Sequence, residues 1–120
     1  MPVTPSDVRD FLRAKAQSDD DAAVVQAERL RAAAAELCRL IVARPGVRRV
    51  WLFGSLAWGS PARDADIDLA VEGLDGSAYF AALGELLAAA PVAVDLVRLE
   101  DAPPGLAARI LAEGRLIHDG

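Results

Sequence analysis

The sequence predicts an α/β (α+β) fold, in which helices pack on a small mixed β-sheet. Three observations carry this prediction. Residues 1–45 place apolar side chains at helical spacing, whereas β-branched and aromatic runs alternate with alanine-rich runs after residue 47. The chain has 120 residues, of which 53% are apolar and 26% are charged, as expected of one globular domain. Alternating helices and strands of this kind pack in layers around a sheet.

The N-terminal part predicts two helices. TPSD at residues 4–7 is typical of a helix start, because Pro5 suits the first helical position and an acid follows in the first turn. We expect this helix to end near Gln17. SDDDA at residues 18–22 then places capping and acidic residues where the dipole of a second helix favours negative charge. The aspartate triplet therefore indicates a helix start rather than a metal site.

The second helix has a clear buried face and a clear end. RPG at residues 44–46 stops it. Cys38 lies among its apolar residues, which predicts a buried structural thiol. The apolar stripe consists of Leu30, Ala34, Leu37 and Ile41.

The remaining chain predicts strands and helices in alternation. The helix SAYFAALGELLAAA is capped by Ser77, and the helix PPGLAARILAEG begins with proline and ends at glycine. The predicted strands are VRRVWLFG, DIDLAV, VAVDLVRL and a short final RLIH.

Charge and composition exclude several classes of function. The net charge of −5 argues against direct binding of nucleic acid, which depends on Lys and Arg neutralising phosphates. No apolar run approaches the roughly 18 residues that a membrane span requires, and the N-terminus lacks the layout of a signal peptide. The single cysteine cannot form an internal disulfide, which fits the cytoplasm. A small nucleotide bound with its own metal ion remains open.

Three carboxylates interrupt the predicted strands. Asp66 and Asp68 are separated by one residue, so they point to the same face, and Asp95 interrupts the next strand. Like charges this close oppose folding unless a cation lies between them. One alternative is the solvated face of an edge strand, because charges often decorate edges. The other is an Mg²⁺ site, for which carboxylate oxygens and substrate phosphates are the usual ligands.

The stretch before the aspartate pair favours the second alternative. Gly54 closes the first strand, and glycine lets backbone N–H groups approach a phosphate closely. Ser55 would begin a short helix, whose N-terminus attracts anions. The sequence therefore predicts a metal site beside a phosphate site, and a pair of Mg²⁺ ions there could assist transfer of a phosphoryl-linked group.

These residues resemble the nucleotidyltransferase superfamily that includes polymerase β. The pattern is G-S, ten residues, D-x-D and an Asp on a later strand, and the tail GLAARILAEGRLIHDG is similar to the minimal, or MNT, members. The resemblance implies that Gly54 and Ser55 bind nucleotide phosphates and that Asp66 and Asp68 hold Mg²⁺. It also implies that Asp95 holds a second ion or activates the acceptor hydroxyl.

The resemblance covers roughly residues 47–120, the expected catalytic core of a single 1–120 domain, with residues 1–45 as a helical addition. Two positions depart from the minimal members. Trp58 stands where many carry a basic residue, and Ala65 stands where a Ser or Thr precedes the first Asp. Arg63 is the candidate to replace the missing cation at the phosphates.

The resemblance implies a metal-dependent enzyme that moves AMP, or another NMP, from ATP or a related nucleoside triphosphate to an acceptor hydroxyl. Minimal members often act as antitoxins that add AMP to a helical HEPN ribonuclease toxin, so a protein partner follows by analogy. Two alternatives remain open: a non-catalytic module that neutralises its partner by contact, and a transferase for a small molecule. The acceptor site is expected to be completed by a second protein or subunit, which leaves a homo-oligomer open.

Overall fold

The computed structural model describes residues 5–59 and 65–120, with the side chains of the first helix described from residue 21 onward. Within these residues the helices are α1 (Pro5–Val42), α2 (Tyr79–Ala89) and α3 (Pro104–Glu113). The strands are β1 (Arg49–Phe53), β2 (Ile67–Glu72), β3 (Val94–Arg98) and β4 (Arg115–Asp119). One-turn 3₁₀ helices span Gly54–Leu56, Gly76–Ala78 and Leu99–Asp101.

The four strands form one mixed sheet in the order β3-β2-β1-β4. β1 is antiparallel to both β2 and β4, whereas β2 and β3 are parallel. The parallel pair is joined by the crossover that contains α2, as parallel strands require. The predicted fold class is therefore confirmed, including the short final strand.

The prediction of two N-terminal helices is wrong, because α1 is one helix of 38 residues. Its sequence contains no glycine after Pro5 and no further proline, so no residue forces an end near Gln17. Ser and Asp at residues 18–21 each cost only about 0.5 kcal/mol inside a helix relative to alanine. The alanine-rich flanks offset that cost. The predicted apolar stripe is confirmed: its members are each at most 3% exposed.

The sheet has two differently covered faces. On one face, α1 and α2 pack on alternate residues of the central strands to form the main core, which includes Leu52, Ile67 and Leu69. The opposite face carries a smaller cluster of Trp51, Phe53, Ala70 and, from α3, Ile110. No helix within the described parts of the chain has the length and apolarity needed to cross a bilayer.

Two local predictions can be checked. Cys38 is buried, as expected, and burial raises the pKa of its thiol. Ser77 is not the cap before α2: Asp75 precedes the 3₁₀ turn and accepts hydrogen bonds of 2.8 Å from both the backbone N–H and the hydroxyl of Ser77. The turn of 3₁₀ helix at Gly76–Ala78 moves the start of helical backbone two residues earlier than the pattern suggested.

Candidate active site

The glycine that follows β1 lies directly against an aspartate of β2. Gly54 has φ of +74°, a conformation that L-residues rarely adopt. A Cβ atom on Gly54 would overlap the carboxylate of Asp68 and lie 2.9 Å from its Cγ. The chain therefore needs glycine here for two independent reasons: the backbone conformation and the space that Asp68 occupies.

After Gly54 the chain makes a tight turn. The Gly54 carbonyl accepts hydrogen bonds from the backbone N–H groups of Ala57 and Trp58, each at 3.0 Å. Gly59 N–H donates to the Ser55 carbonyl at 3.2 Å. The predicted short helix at Ser55 is present as one 3₁₀ turn, Gly54–Leu56.

The predicted carboxylates lie on one face of the sheet. Asp68 pairs in register with Phe53 of β1 on one side and with Asp95 of β3 on the other. Because side chains alternate along a strand, Asp68 and Asp95 share the face of the smaller cluster, opposite the main core. We call this the acidic face. Asp66 lies two residues before Asp68, immediately ahead of β2.

The three aspartates differ in their surroundings. Asp68 is partly buried, whereas Asp66 and Asp95 are exposed. Burial raises the pKa of Asp68, and the negative charges of Asp95 and Asp66 raise it further. Within the described residues, neither Asp66 nor Asp95 forms an ion pair. The site is therefore a cluster of negative charge that a cation would relieve.

The three carboxylates do not form a complete metal-binding site as they are placed. Among residues 21–59 and 65–120, no three His, Cys, Asp or Glu side chains stand close enough as placed to share a metal ion. Mg²⁺ usually takes only one or two protein carboxylates and completes its shell with water and phosphate oxygens. The donor types on adjacent strands therefore fit Mg²⁺ carried in by a nucleotide.

A cation that the sequence did not reveal lies beside the glycine turn. Trp58 packs on Phe53 with ring centroids 5.8 Å apart. The guanidinium of Arg109, from α3, lies over the Trp58 ring at 4.2 Å from its centroid. Arg109 Nε donates to Glu113 Oε2 at 2.8 Å, which leaves its four Nη hydrogens. No sequence signal could have found this contact, because α3 returns to the turn only through the tertiary fold.

Of the predicted site residues, the structure therefore brings together Gly54, Asp68 and Asp95, with Asp66 and Ser55 next to them in the chain. Arg63 lies outside the described residues.

The small sheet, the carboxylates on its neighbouring strands and the glycine turn beside them have the arrangement that the sequence predicts for nucleotide chemistry. The profile of the family described as polymerase beta, nucleotidyltransferase matches residues 35–120. The chain belongs to this family and is a nucleotidyltransferase. A search of curated proteins gives no match.

Solved structures support the same assignment. The chain is 30% identical to a chain in a toxin–antitoxin structure with AMP-PNP, covering 69% of this chain and 70% of the other with a TM-score of 0.61. It is 33% identical to a candidate minimal nucleotidyltransferase, covering 74% and 93%, with a TM-score of 0.58. It is 25% identical to a chain in a complex of tri-AMPylated HEPN toxin and MNT antitoxin from Shewanella oneidensis, covering 76% and 73%, with a TM-score of 0.59.

Proposed function

We propose that this chain transfers AMP from ATP to a hydroxyl group of a partner protein and so acts as the antitoxin of a HEPN-type toxin. The single observation that carries the chemistry is Asp68, which lies against the Gly54 turn and pairs in register with Asp95. The similar structure with AMP-PNP supports ATP as the nucleotide, and the similar structure with an AMPylated HEPN toxin supports a toxin as the partner.

In this proposal Asp66, Asp68 and Asp95 would hold Mg²⁺ brought in with the nucleotide, each ion taking one or two of these carboxylates, and the ions would supply neutralisation of the phosphate charges and activation of the acceptor oxygen. Asp68 is the central ligand, because its carboxylate lies between the glycine turn and Asp95. A bound cation would also remove the repulsion that raises its pKa. We also propose that residues 47–120 form the catalytic core of the single domain and that α1 is its helical addition, although the end of α1, from residue 35, falls within the family profile.

The reaction balances as a displacement at the α-phosphorus. The acceptor oxygen forms a new P–O bond while the bond from the α-phosphorus to the bridging oxygen breaks. AMP remains on the acceptor, and pyrophosphate leaves with the electron pair. Asp95 is exposed and, within the described residues, carries no ion pair, so it can take the hydroxyl proton or complete the ligands of a second ion.

In this proposal the leaving pyrophosphate lies beside the turn that begins with Gly54 and Ser55. Trp58 replaces the basic residue expected in that turn, and its ring instead holds the Arg109 guanidinium in place. The stack uses only the face of the guanidinium, so its Nη edge remains open to phosphate oxygens. Arg109 thus supplies from α3 the cation that the turn lacks, beside any contribution from Arg63.

Replacing Asp95 tests the proposed transfer. We expect Asp95→Ala to keep measurable ATP binding, because Asp68 and the Gly54 turn remain, but to lose transfer by about a hundredfold or more. The measurement is label from α-³²P-ATP that enters an acceptor protein, with calorimetry of Mg²⁺-ATP binding on the same samples. Equal labelling by wild type and variant contradicts the role of Asp95. A wild type that silences its toxin but labels nothing supports the alternative, a module that neutralises by contact.

Replacing Arg109 tests the phosphate side. We expect Arg109→Gln to weaken binding of ATP and of inorganic tripolyphosphate by about tenfold, while binding of adenosine is unchanged, because the lost cation contacts only phosphate. Arg109→Lys should recover part of the loss. The matched control is Arg115→Gln on β4, an exposed arginine of the same chain. Tripolyphosphate affinity that is equal in wild type and Arg109→Gln refutes the role.

A further inference from the structure

The order of the strands places the two sides of the reaction on opposite sides of Asp68. The Gly54 turn follows β1, Asp68 is on the neighbouring strand β2, and Asp95 is on β3, the edge of the sheet. Neighbouring strands are about 4.8 Å apart. In a displacement at phosphorus the attacking and leaving oxygens are roughly in line. If pyrophosphate leaves over β1, the acceptor therefore approaches over the outer edge of β3.

A cavity lies at that edge. Its volume is about 440 Å³, and Asp95 forms part of its wall. Arg98, also in the wall, donates from Nε to the Leu74 carbonyl at 2.8 Å and from Nη1 to Asp101 Oδ2 at 2.6 Å. Because Arg98 uses both Nε and Nη1 for these bonds, it offers a phosphate fewer donors than Arg109, which donates only from Nε, and the cavity is therefore the weaker phosphate site. Asp95 faces the cavity as a carboxylate that no described cation neutralises.

Two aromatic residues of α2, Tyr79 and Phe80, form part of the wall of the same cavity. The Phe80 side chain on α2 is 81% exposed, which is the largest exposure among the described large apolar residues. It stands edge-on to Tyr79, with centroids 5.2 Å apart and planes at 77°. Tyr79 is itself fixed, since its hydroxyl donates to the Leu96 carbonyl of β3 at 2.5 Å. A phenyl ring presented on a fixed base has the character of an anchor for a protein surface.

We propose that this cavity and Phe80 receive the acceptor as a polypeptide segment, whose hydroxyl-bearing side chain enters beside Asp95 and whose flanking residues are basic. The inference rests on the proposed function, and it names the surface at which the partner docks. Phe80 forms part of the cavity wall and is still 81% exposed, so an acceptor confined to the cavity would cover only part of its ring, which favours a polypeptide. Asp101 is paired with Arg98, whereas the Asp95 carboxylate has no ion-pair partner among the described residues, so Asp95 and the net charge of −5 favour basic flanks and disfavour RNA.

The test uses synthetic peptides as acceptors for the full-length chain. Each has one central Tyr, Ser or Thr, flanked either by lysines or by glutamates, and transfer is followed with α-³²P-ATP and Mg²⁺. We expect label in the lysine-flanked peptides. Phe80→Ser should lower that labelling by about tenfold or more, the typical effect of truncating an aromatic anchor. ATP affinity by calorimetry should not change, because Phe80 is on the acceptor side.

Leu87→Ser is the matched control, since Leu87 is also on α2, is 48% exposed and is absent from the cavity wall. It should label peptides as wild type does. Three results overturn the inference: equal labelling by Phe80→Ser and wild type, equal losses in Phe80→Ser and Leu87→Ser, or label in RNA or small alcohols but in no peptide. A wild type that binds ATP yet labels no peptide also counts against it. A wild type that binds no Mg²⁺-ATP instead refutes the proposed function itself.

Discussion

Asp68→Asn is expected to make the metal-free protein more stable at neutral pH while abolishing nucleotidyl transfer. The folded chain holds the Asp68 carboxylate partly buried and close to two like charges, and both burial and those charges raise its pKa above the usual 3.8. The wild-type ion therefore costs free energy on folding that the neutral amide does not. Transfer is lost because the amide removes the central charge of the proposed cation site.

The sign of the pH dependence follows from the raised pKa. The protonated Asp68 carboxyl stabilises the fold fully below its unfolded pKa of 3.8, and this contribution is lost as pH rises through the higher folded pKa. At pH values above the folded pKa of Asp68, the melting temperature of Asp68→Asn should therefore exceed that of wild type. At pH values below the unfolded pKa, the two melting temperatures should become similar. The measurement is the melting temperature of both proteins, without metal, from acid to neutral pH.

A matched control lies at the other end of the same strand. Glu72 accepts two hydrogen bonds of 2.8 Å from Arg49, its cross-strand partner on β1. These bonds hold the pKa of Glu72 below its usual 4.5. Its contribution to stability is present above that pKa and is lost as pH falls through the folded one, which is the opposite sign. Glu72→Gln should therefore lower the melting temperature at neutral pH, where Asp68→Asn raises it.

Magnesium adds a second readout. A cation that binds only the folded chain raises its melting temperature by mass action. Millimolar Mg²⁺ with a non-hydrolysable ATP analogue should therefore stabilise wild type and leave Asp68→Asn nearly unchanged. If both proteins respond equally, Asp68 is not a ligand, and if Asp68→Asn is less stable than wild type without metal, the carboxylate is not under the repulsion described.

The acidic face could be predicted from the sequence because each part of its signal is local. The D-x-D spacing fixes a shared face in any extended backbone, and the apolar neighbours of Asp95 require a strand. Pairing of Asp68 with Asp95 then follows from one parallel crossover.

By contrast, the continuity of α1 depends on differences in helix propensity between residues, which are small and nearly cancel. Local capping signals therefore suggested an end near Gln17 that the helix does not have.

The remaining features depend on contacts between distant segments. Arg109 has an ordinary helix-surface pattern, with Glu113 four residues later, and only the packing of α3 on Phe53 and Trp51 brings it over Trp58. Phe80 has the apolar character of a core residue, and only the rotation of α2 on the sheet turns it outward. Both are candidates for function because the fold gives Arg109 a contact, and Phe80 an exposure, that the sequence alone does not reveal.

Gly54→Ala is expected to be destabilising and inactive, since it changes the backbone and the site together. Alanine at φ of +74° costs about 1–2 kcal/mol by itself. The new methyl group must also displace the Asp68 carboxylate, which no longer has space at the turn. We therefore expect a loss of about 2 kcal/mol or more in the free energy of unfolding, together with loss of Mg²⁺-ATP binding, measured by urea unfolding and calorimetry.

Gly84→Ala supplies the matched control. Gly84 lies inside α2, where an added Cβ meets no atom within 4 Å, so alanine should raise stability by about 0.5–1 kcal/mol through better helix propensity. Nucleotide binding should be unaffected. A Gly54→Ala protein as stable as wild type contradicts the close approach of Gly54 and Asp68.

A double-mutant cycle separates the two costs at Gly54. In an Asp68→Ala background the carboxylate that the methyl group would displace is gone, so Gly54→Ala should cost its backbone term of about 1–2 kcal/mol and the remaining contact with the Cβ of residue 68 at 3.2 Å, less than in wild type. The difference between the two backgrounds measures the contact between the glycine turn and the aspartate. If the cost of Gly54→Ala is the same with and without Asp68, the two residues are independent. Asp68 is then not held at the turn, and the proposed placement of metal beside phosphate loses its structural basis.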